Sequence, residues 1–465
     1  MIKTEVHTLE SLLKKGKQRA AENQEKVLVT YTEKIEAQDP FIIFERMKSF
    51  HENRSFWKSA TDAFYVITVG EQLQIRSEDA ERYEYTTLKW KELQEEAVIY
   101  NPYTQEGTGL ILTGGMSFDV LEEKTSLWAS YPHSEFVVPK YTFTKMNDQC
   151  YLTMTTYISE NDSIDKRLRK VSSDRKKLLE MDEMKVARNT VLKQTELYPE
   201  EWKKRVEKAI HHIQDEKAEK IVMARELRVK LSKEVEITPI LERFLELQET
   251  SYLFAYERGD HCFIGATPER LVKVQGRKLL STCLAGTAPR GENEAEDIVI
   301  KEGLFQDEKN RLEHNHVVQM IRRSITDICS FLRIPKEPKV ITLKNLQHLY
   351  TPVEGEVKVG YSVFDIIKRL HPTPALGGAP TDEALAFIRE NESFERGWYG
   401  SPVGWLDDRH NGEFAVAIRS GLVQKDEISL FAGCGVMGDS DVELEFEETA
   451  IKFLPMLTAL EDENE

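Results

Sequence analysis

Cysteine is scarce in this 465-residue chain, and the five present (Cys150, Cys262, Cys283, Cys329, Cys434) are odd in number, widely scattered and without a CxxC spacing. That excludes a disulfide framework and a cysteine zinc site, and leaves reduced core thiols. Long apolar runs are missing as well, so no segment reads as a membrane-spanning helix. The opening MIKTEVHTLESLLKKGKQ lacks the apolar core of a secretory signal, and a cytoplasmic location is the expectation. Positive charge is in deficit: 63 Lys and Arg against 80 Asp and Glu give a net charge of −17. Such a surface repels nucleic acid and anionic membranes, and neither is expected as a partner. There is no internal repeat, no low-complexity linker and no clean βαβ alternation.

What is present is the composition of a globular chain, 40% hydrophobic and 31% charged, long enough to bury a large core. Short β-like runs at 64–69, 109–112 and 135–138 alternate with polar turns. Residues 161–199 are dense in charge with spaced apolar positions, which predicts helix laid over the surface. Behind Pro199 an apolar stripe of Trp202, Val206, Ala209, Ile210 and Ile213 predicts a helix leading into a strand at KIVMARELRV. Further strands are expected at 263–265, 270–274 and 278–284, the last two joined by a Gln275-Gly276-Arg277 hairpin. A helix is expected over 307–329, with Leu312, Val317, Met320, Ile321, Ile325 and Ile328 inward. Pattern alone gives a mixed α and β chain.

The densest chemistry lies between 397 and 452: GWYGSPVGW, GEFAVAIRS, FAGCGVMGDS and ELEFEETAIK. The β-favouring run 414–418 puts Arg419 at a strand end, where its planar fork can grip a carboxylate at two points. Gly433, Gly435 and Gly438 interrupt the next apolar run and let backbone approach a ligand. Ser440 and Glu443 fit a capping box, after which Glu445, Glu448 and Lys452 fall on one helix face. The pattern fits an anion site beside a metal site, although spacing alone more often marks a solvated helix face.

These segments resemble the C-terminal core of the chorismate-utilising enzymes: isochorismate and salicylate synthases and the large subunits of anthranilate and aminodeoxychorismate synthases. The likeness continues through HPTPALGGAP (371–380), LQHLYTPVEG (346–355), KNRLEHNHVV (309–318), CLAGTAPRG (283–291), FIGATPERL (263–271) and KIVMARE (220–226), in the family's order. It implies an α+β fold of the anthranilate synthase component I type, two large packed antiparallel sheets with flanking helices. It also implies a division into an N-terminal part (1–160), a charged helical connection (161–199) and a catalytic core (200–465). By resemblance Lys220 activates water, Glu269 protonates the departing hydroxyl, and Glu313 and Glu448, with Glu445 directly or through water, hold Mg²⁺. Gly286, Thr287, His348, Ala375, Tyr399, Arg419, Gly433 and Lys452 correspond to substrate-binding positions. For a base, Lys220 needs its pKa depressed from about 10.4, and Glu269 needs the opposite shift.

Two positions bear on the branch. Ammonia-using members carry glutamine where this chain has Lys220, and aminodeoxychorismate enzymes carry a nucleophilic lysine where it has Ala285. The resemblance therefore implies water as the attacking group at C2, loss of the C4 hydroxyl, and isochorismate as product. Menaquinone biosynthesis is the expected pathway, with salicylate synthase and a siderophore-pathway isochorismate synthase as alternatives. A non-catalytic chorismate-binding regulator would be expected to have lost the base, the acid or the metal carboxylates, and all are present. No glutaminase subunit is expected, and the chain is expected to be a monomer or weak homodimer.

Overall fold

The computed structural model describes residues 3–180, 189–342 and 346–461. Part of the charged connection, 181–188, lies outside the described residues. The fold is α+β, and its strands pair antiparallel apart from Val98–Tyr100, which runs parallel to Val27–Ile35. One layer continues from Val27–Ile35 through Gln149–Ile158, Ser134–Met146, Phe64–Ser77, Arg54–Lys58, Tyr252–Arg258, His261–Thr267, Ser420–Gln424 and Glu427–Val436 to Lys220–Leu231. The other runs from Ser134–Met146 through Ile111–Met116, Pro402–Asp407, Gly412–Val416, Arg270–Gln275 and Lys278–Pro289 to Leu346–Val357.

Ser134–Met146 belongs to both layers. Its residues 134–137 pair with 113–116, and 141–146 with 149–154. Among the described residues hydrogen bonding is thus continuous through twenty-one strands, while the two layers pack face to face. Between them lies an aromatic core of Trp57, Trp128, Trp398, Trp405, Phe254, Phe263 and Phe431. Trp128 stacks on Phe431 with centroids 5.6 Å apart, and Phe64 tilts against Trp405 at 5.1 Å. Offset and edge contacts of this kind add to the area they bury.

Helices cover the outer faces, so central strands such as Gly412–Val416 are buried at every position. Lys3–Asn23, Pro40–Arg46, Ile164–Glu180, Ile237–Leu247 and Val442–Leu460 pack on the first layer. Arg82–Glu96, Glu308–Ile325 and Val363–Leu370 pack on the second, and Pro199–Gln214 and Thr381–Asn391 cover the Lys220 end. Among the described residues no helix is long and apolar enough to cross a membrane.

Three expectations change. Within the stretch 161–199 expected to be helical, Ile164–Glu180 is a helix and Val191–Glu196 is instead a strand paired with 227–231, because Val191, Thr195 and the free edge of Lys220–Leu231 complement each other. Leu312 is 58% exposed, since the inward stripe of its helix is set by His314, Val317, Val318, Ile321 and Ile325. The helix Val442–Leu460 is capped by Asp441, whose carboxylate accepts from Glu443 N at 2.9 Å and Leu444 N at 3.1 Å, so Ser440 is not the cap. The N-terminal strands are woven into the rest: Arg54–Lys58 pairs with Tyr252–Arg258, and Ile111–Met116 with Pro402–Asp407.

Candidate active site

Lys220 opens its strand, and its side chain lies across the neighbouring strand at Gly435, where a Cβ would sit 2.6 Å from Lys220 Cε. A side chain there would displace the end of the lysine from this path. Its Nζ donates to Glu313 Oε1 at 2.8 Å. Glu313 rides on Glu308–Ile325, whose N-cap Asp307 accepts from Asn310 N at 2.7 Å. Two residues far apart in sequence are therefore in contact.

The helix Val442–Leu460 supplies the next group. Ser440 Oγ accepts from Met437 N at 2.9 Å and donates to Glu445 Oε1 at 2.7 Å. Burial raises the Glu445 carboxyl, and its shielded Oε2 meets no N–H or O–H donor, the Cys434 thiol being its polar neighbour. Two turns on, Lys452 Nζ donates to Glu448 Oε1 at 2.6 Å and to Gly433 O at 2.7 Å. Arg419 sits in the break between Gly412–Val416 and Ser420–Gln424, with a left-handed backbone of φ 50°, and donates to Lys452 O at 2.9 Å. A Cβ on Gly433 would meet the Tyr399 hydroxyl at 3.3 Å. Tyr399 is buried, and burial pushes its phenol up. Arg419, Tyr399, Gly433, Glu448 and Lys452 thus form one cluster.

Opposite lies the bulged pair Lys278–Pro289 and Leu346–Val357. The register shifts between Leu284 and Thr287, and Gly286 takes φ 80°, a conformation that favours glycine. Past the bulge Thr287 faces His348, with Oγ1 to Nδ1 at 2.9 Å. Burial pushes His348 down to about 4, with the Arg419 and Lys452 charges adding to the effect, so its ring is neutral at physiological pH. Glu269, in the turn between His261–Thr267 and Arg270–Gln275, is raised by burial to about 7, and only the Lys452 charge opposes the shift. A carboxyl so placed carries a proton for a large share of the time near neutrality. Ala375 lies in the turn before Gly378–Ala379, a two-residue strand paired with Ile221 and Lys220.

The carboxylates suit a hard cation. Glu445 Oε2 is a buried oxygen without an N–H or O–H donor, and Glu313 and Glu448 each meet a lysine ammonium through one oxygen. All are oxygen donors of the kind Mg²⁺ prefers. Among the described residues no group of three His, Cys, Asp or Glu stands close enough to be a preassembled metal cluster.

Sequence reasoning missed Gly378, Glu392 and Arg396. Gly378 stands at φ 130° with Lys220 O 2.1 Å from where a Cβ would be, and its signal was the Gly-Gly in HPTPALGGAP. Glu392 and Arg396 had none, because an i, i+4 pair ordinarily reads as surface.

Residues 14–461 match the family model described as chorismate binding enzyme. The chain belongs to the chorismate-binding enzymes. This family member is 37% identical over 450 residues to isochorismate synthase MenF of Bacillus subtilis, covering 95% of both chains. It is 29% identical over 460 residues to the salicylate biosynthesis isochorismate synthase of Pseudomonas aeruginosa, covering 98% of this chain and 94% of that one. Among solved structures, the menaquinone-specific isochorismate synthase MenF of Escherichia coli superposes with a TM-score of 0.78 over 97% of this chain and all of its own. At 21% identity that likeness shows the fold alone.

Proposed function

We propose that this chorismate-binding enzyme is an isochorismate synthase that isomerises chorismate to isochorismate and serves menaquinone biosynthesis. The 37% identity to the Bacillus subtilis MenF over 95% of both chains supports the pathway, against 29% to the salicylate biosynthesis enzyme of Pseudomonas aeruginosa, while the vibriobactin-specific synthase of Vibrio cholerae and EntC of Escherichia coli match 56% and 51% of this chain. The observation that carries the reaction is the Lys220 amine 2.8 Å from Glu313, in a chain that also has an acid raised to about 7 at 269 and an alanine at 285. A base and an acid are present, and the amine nucleophile of the aminodeoxychorismate branch is absent.

In this reading Lys220 takes a proton from the water whose oxygen bonds to C2, and the ring double bonds shift. Glu269 gives its proton to the C4 hydroxyl, which leaves as water. Arg419, Lys452, Tyr399, Thr287 and the neutral His348 hold the dianionic substrate against the net negative field of the chain. Gly286 and Gly433 keep the walls low enough for backbone to approach the ring, and Ala375 lies in the turn that leads to the short strand paired with Lys220. Glu313, Glu448 and Glu445 would hold Mg²⁺, which would neutralise substrate carboxylate charge and orient it. The Lys220 amine contacts Glu313 Oε1, so the proposed base and the proposed metal site share that carboxylate.

The test is the purified protein with chorismate and Mg²⁺ in ¹⁸O-water, with products identified by mass. Isochorismate carrying one label is the expected result. Salicylate with pyruvate, or anthranilate in ammonium buffer, as the main product would replace this reading.

A further inference from the structure

The strand that begins at Lys220 has an incomplete edge. On one side it pairs with Glu427–Val436 from Ile221 to Lys230. On the other, Gly378–Ala379 covers Lys220 and Ile221, and Val191–Glu196 covers Leu227 to Leu231. Between those two pieces Val222 N still donates to Gly377 O at 3.0 Å and Ala224 O accepts from Trp202 Nε1 at 2.9 Å, but among the described residues no strand meets Val222 O or Ala224 N. An unpaired buried amide or carbonyl is costly, and here side chains complete the ladder.

Arg396 Nη2 donates to Val222 O at 2.7 Å, and Glu392 Oε1 accepts from Ala224 N at 2.7 Å. The two side chains also pair with each other, Arg396 Nε meeting Glu392 Oε2 at 2.7 Å and Nη2 meeting Oε1. Both are at most 2% exposed. Arg396 also reaches a third element, since its Nη1 donates to Leu376 O at 2.8 Å, next to Ala375, while its own carbonyl accepts from Tyr399 N at 2.9 Å. One guanidinium therefore touches the Lys220 strand and the Ala375 turn, and its backbone anchors Tyr399. Its planar fork meets two carbonyls and a carboxylate at once, which a lysine's single ammonium cannot do.

We propose that the buried Arg396–Glu392 pair is a positioning device, a surrogate strand that fixes where Lys220 stands relative to Ala375 and Tyr399. The pair touches no reacting atom. The proposal rests on Lys220 being the base, and the test separates the two ideas.

Arg396→Lys keeps the buried charge pair and loses the fork; Glu392→Gln keeps an acceptor for Ala224 N and loses the charge. Each is compared with the parent by near-UV circular dichroism, steady-state kinetics, and trace acetylation of Lys220 measured against the exposed Lys217. Expected for Arg396→Lys is a native spectrum, kcat lowered at least about tenfold with KM changed less than about threefold, and a changed Lys220 acetylation rate. Glu392→Gln should show the same pattern more weakly. Native-like variants with parental kcat and parental Lys220 labelling would overturn the proposal, as would loss of the native spectrum in both, which would make the pair a requirement of the whole fold. If Lys220→Gln itself keeps the parental kcat, it is the assignment of the base that fails, and the labelling result still reports whether the pair places that amine.

Discussion

At the scale of single residues the site depends on where burial puts protons. Desolvation raises the half-buried Glu269 carboxyl from 4.5 to about 7 against the opposing charge of Lys452. As the acid it must be protonated, so kcat/KM should fall as pH rises through about 7. Glu269→Gln should lose about 10²-fold to 10⁴-fold in kcat with little change in KM, and that basic limb should vanish from the residual rate. The same shift acts on stability with a definite sign. The folded state binds this proton more tightly than the unfolded chain, so the contribution favours folding below about 4.5 and is lost as pH rises to about 7. Glu269→Gln should therefore melt higher than the parent at pH 8 and equally at pH 4. An equal melting temperature at both pH values would show that Glu269 is not raised.

Elements decide which of these residues meet. Asp441 starts the helix that brings Glu445, Glu448 and Lys452 to the cleft, and Asp307 starts the one that brings Glu313. Glu313 and Glu448 each face a lysine through one oxygen, and a divalent cation would have to compete for both. Activity should be abolished by EDTA and restored by Mg²⁺, and Glu448→Gln should be nearly inactive; full turnover in metal-free buffer would remove the metal from the reaction. The Gly378 turn is an equally strict device. A methyl group there would strike Lys220 O at 2.1 Å on a backbone of φ 130°. Gly378→Ala should cost more than about 2 kcal/mol of stability and lower kcat by pushing the Lys220 strand aside, checked by urea unfolding and kinetics.

On the scale of the whole molecule, one strand serves two layers, which predicts cooperative unfolding. Ser134–Met146 joins the layers, and strands before residue 160 pair with strands after residue 250 on both sides of the aromatic core. A fragment beginning at 200 would expose the edges of Tyr252–Arg258 and Pro402–Asp407 together with Trp405 and Phe254. It should aggregate or remain unfolded when expressed alone. The full chain should unfold in urea in one transition, with tryptophan fluorescence and circular dichroism coinciding; two separated transitions would show independent domains.

The sequence by itself determined the elements and the chemistry each could carry. Apolar stripes fixed the helices Pro199–Gln214 and Glu308–Ile325, alternation and the Gly276 turn fixed the hairpin Arg270–Gln275 to Lys278–Pro289, and the ordered motifs carried the family and the fold. These are legible because period and turn chemistry act over a few residues. Only the tertiary structure put Lys220 on Glu313, placed Arg419 in a left-handed break against Lys452, moved the helix cap from Ser440 to Asp441, and made Val191–Glu196 a strand. Each of these is settled by contacts that form only in the folded chain. The burial that raises Glu269 and lowers His348, and the surrogate strand of Arg396 and Glu392, exist only once both layers close, because desolvation is a property of surroundings that no local pattern contains.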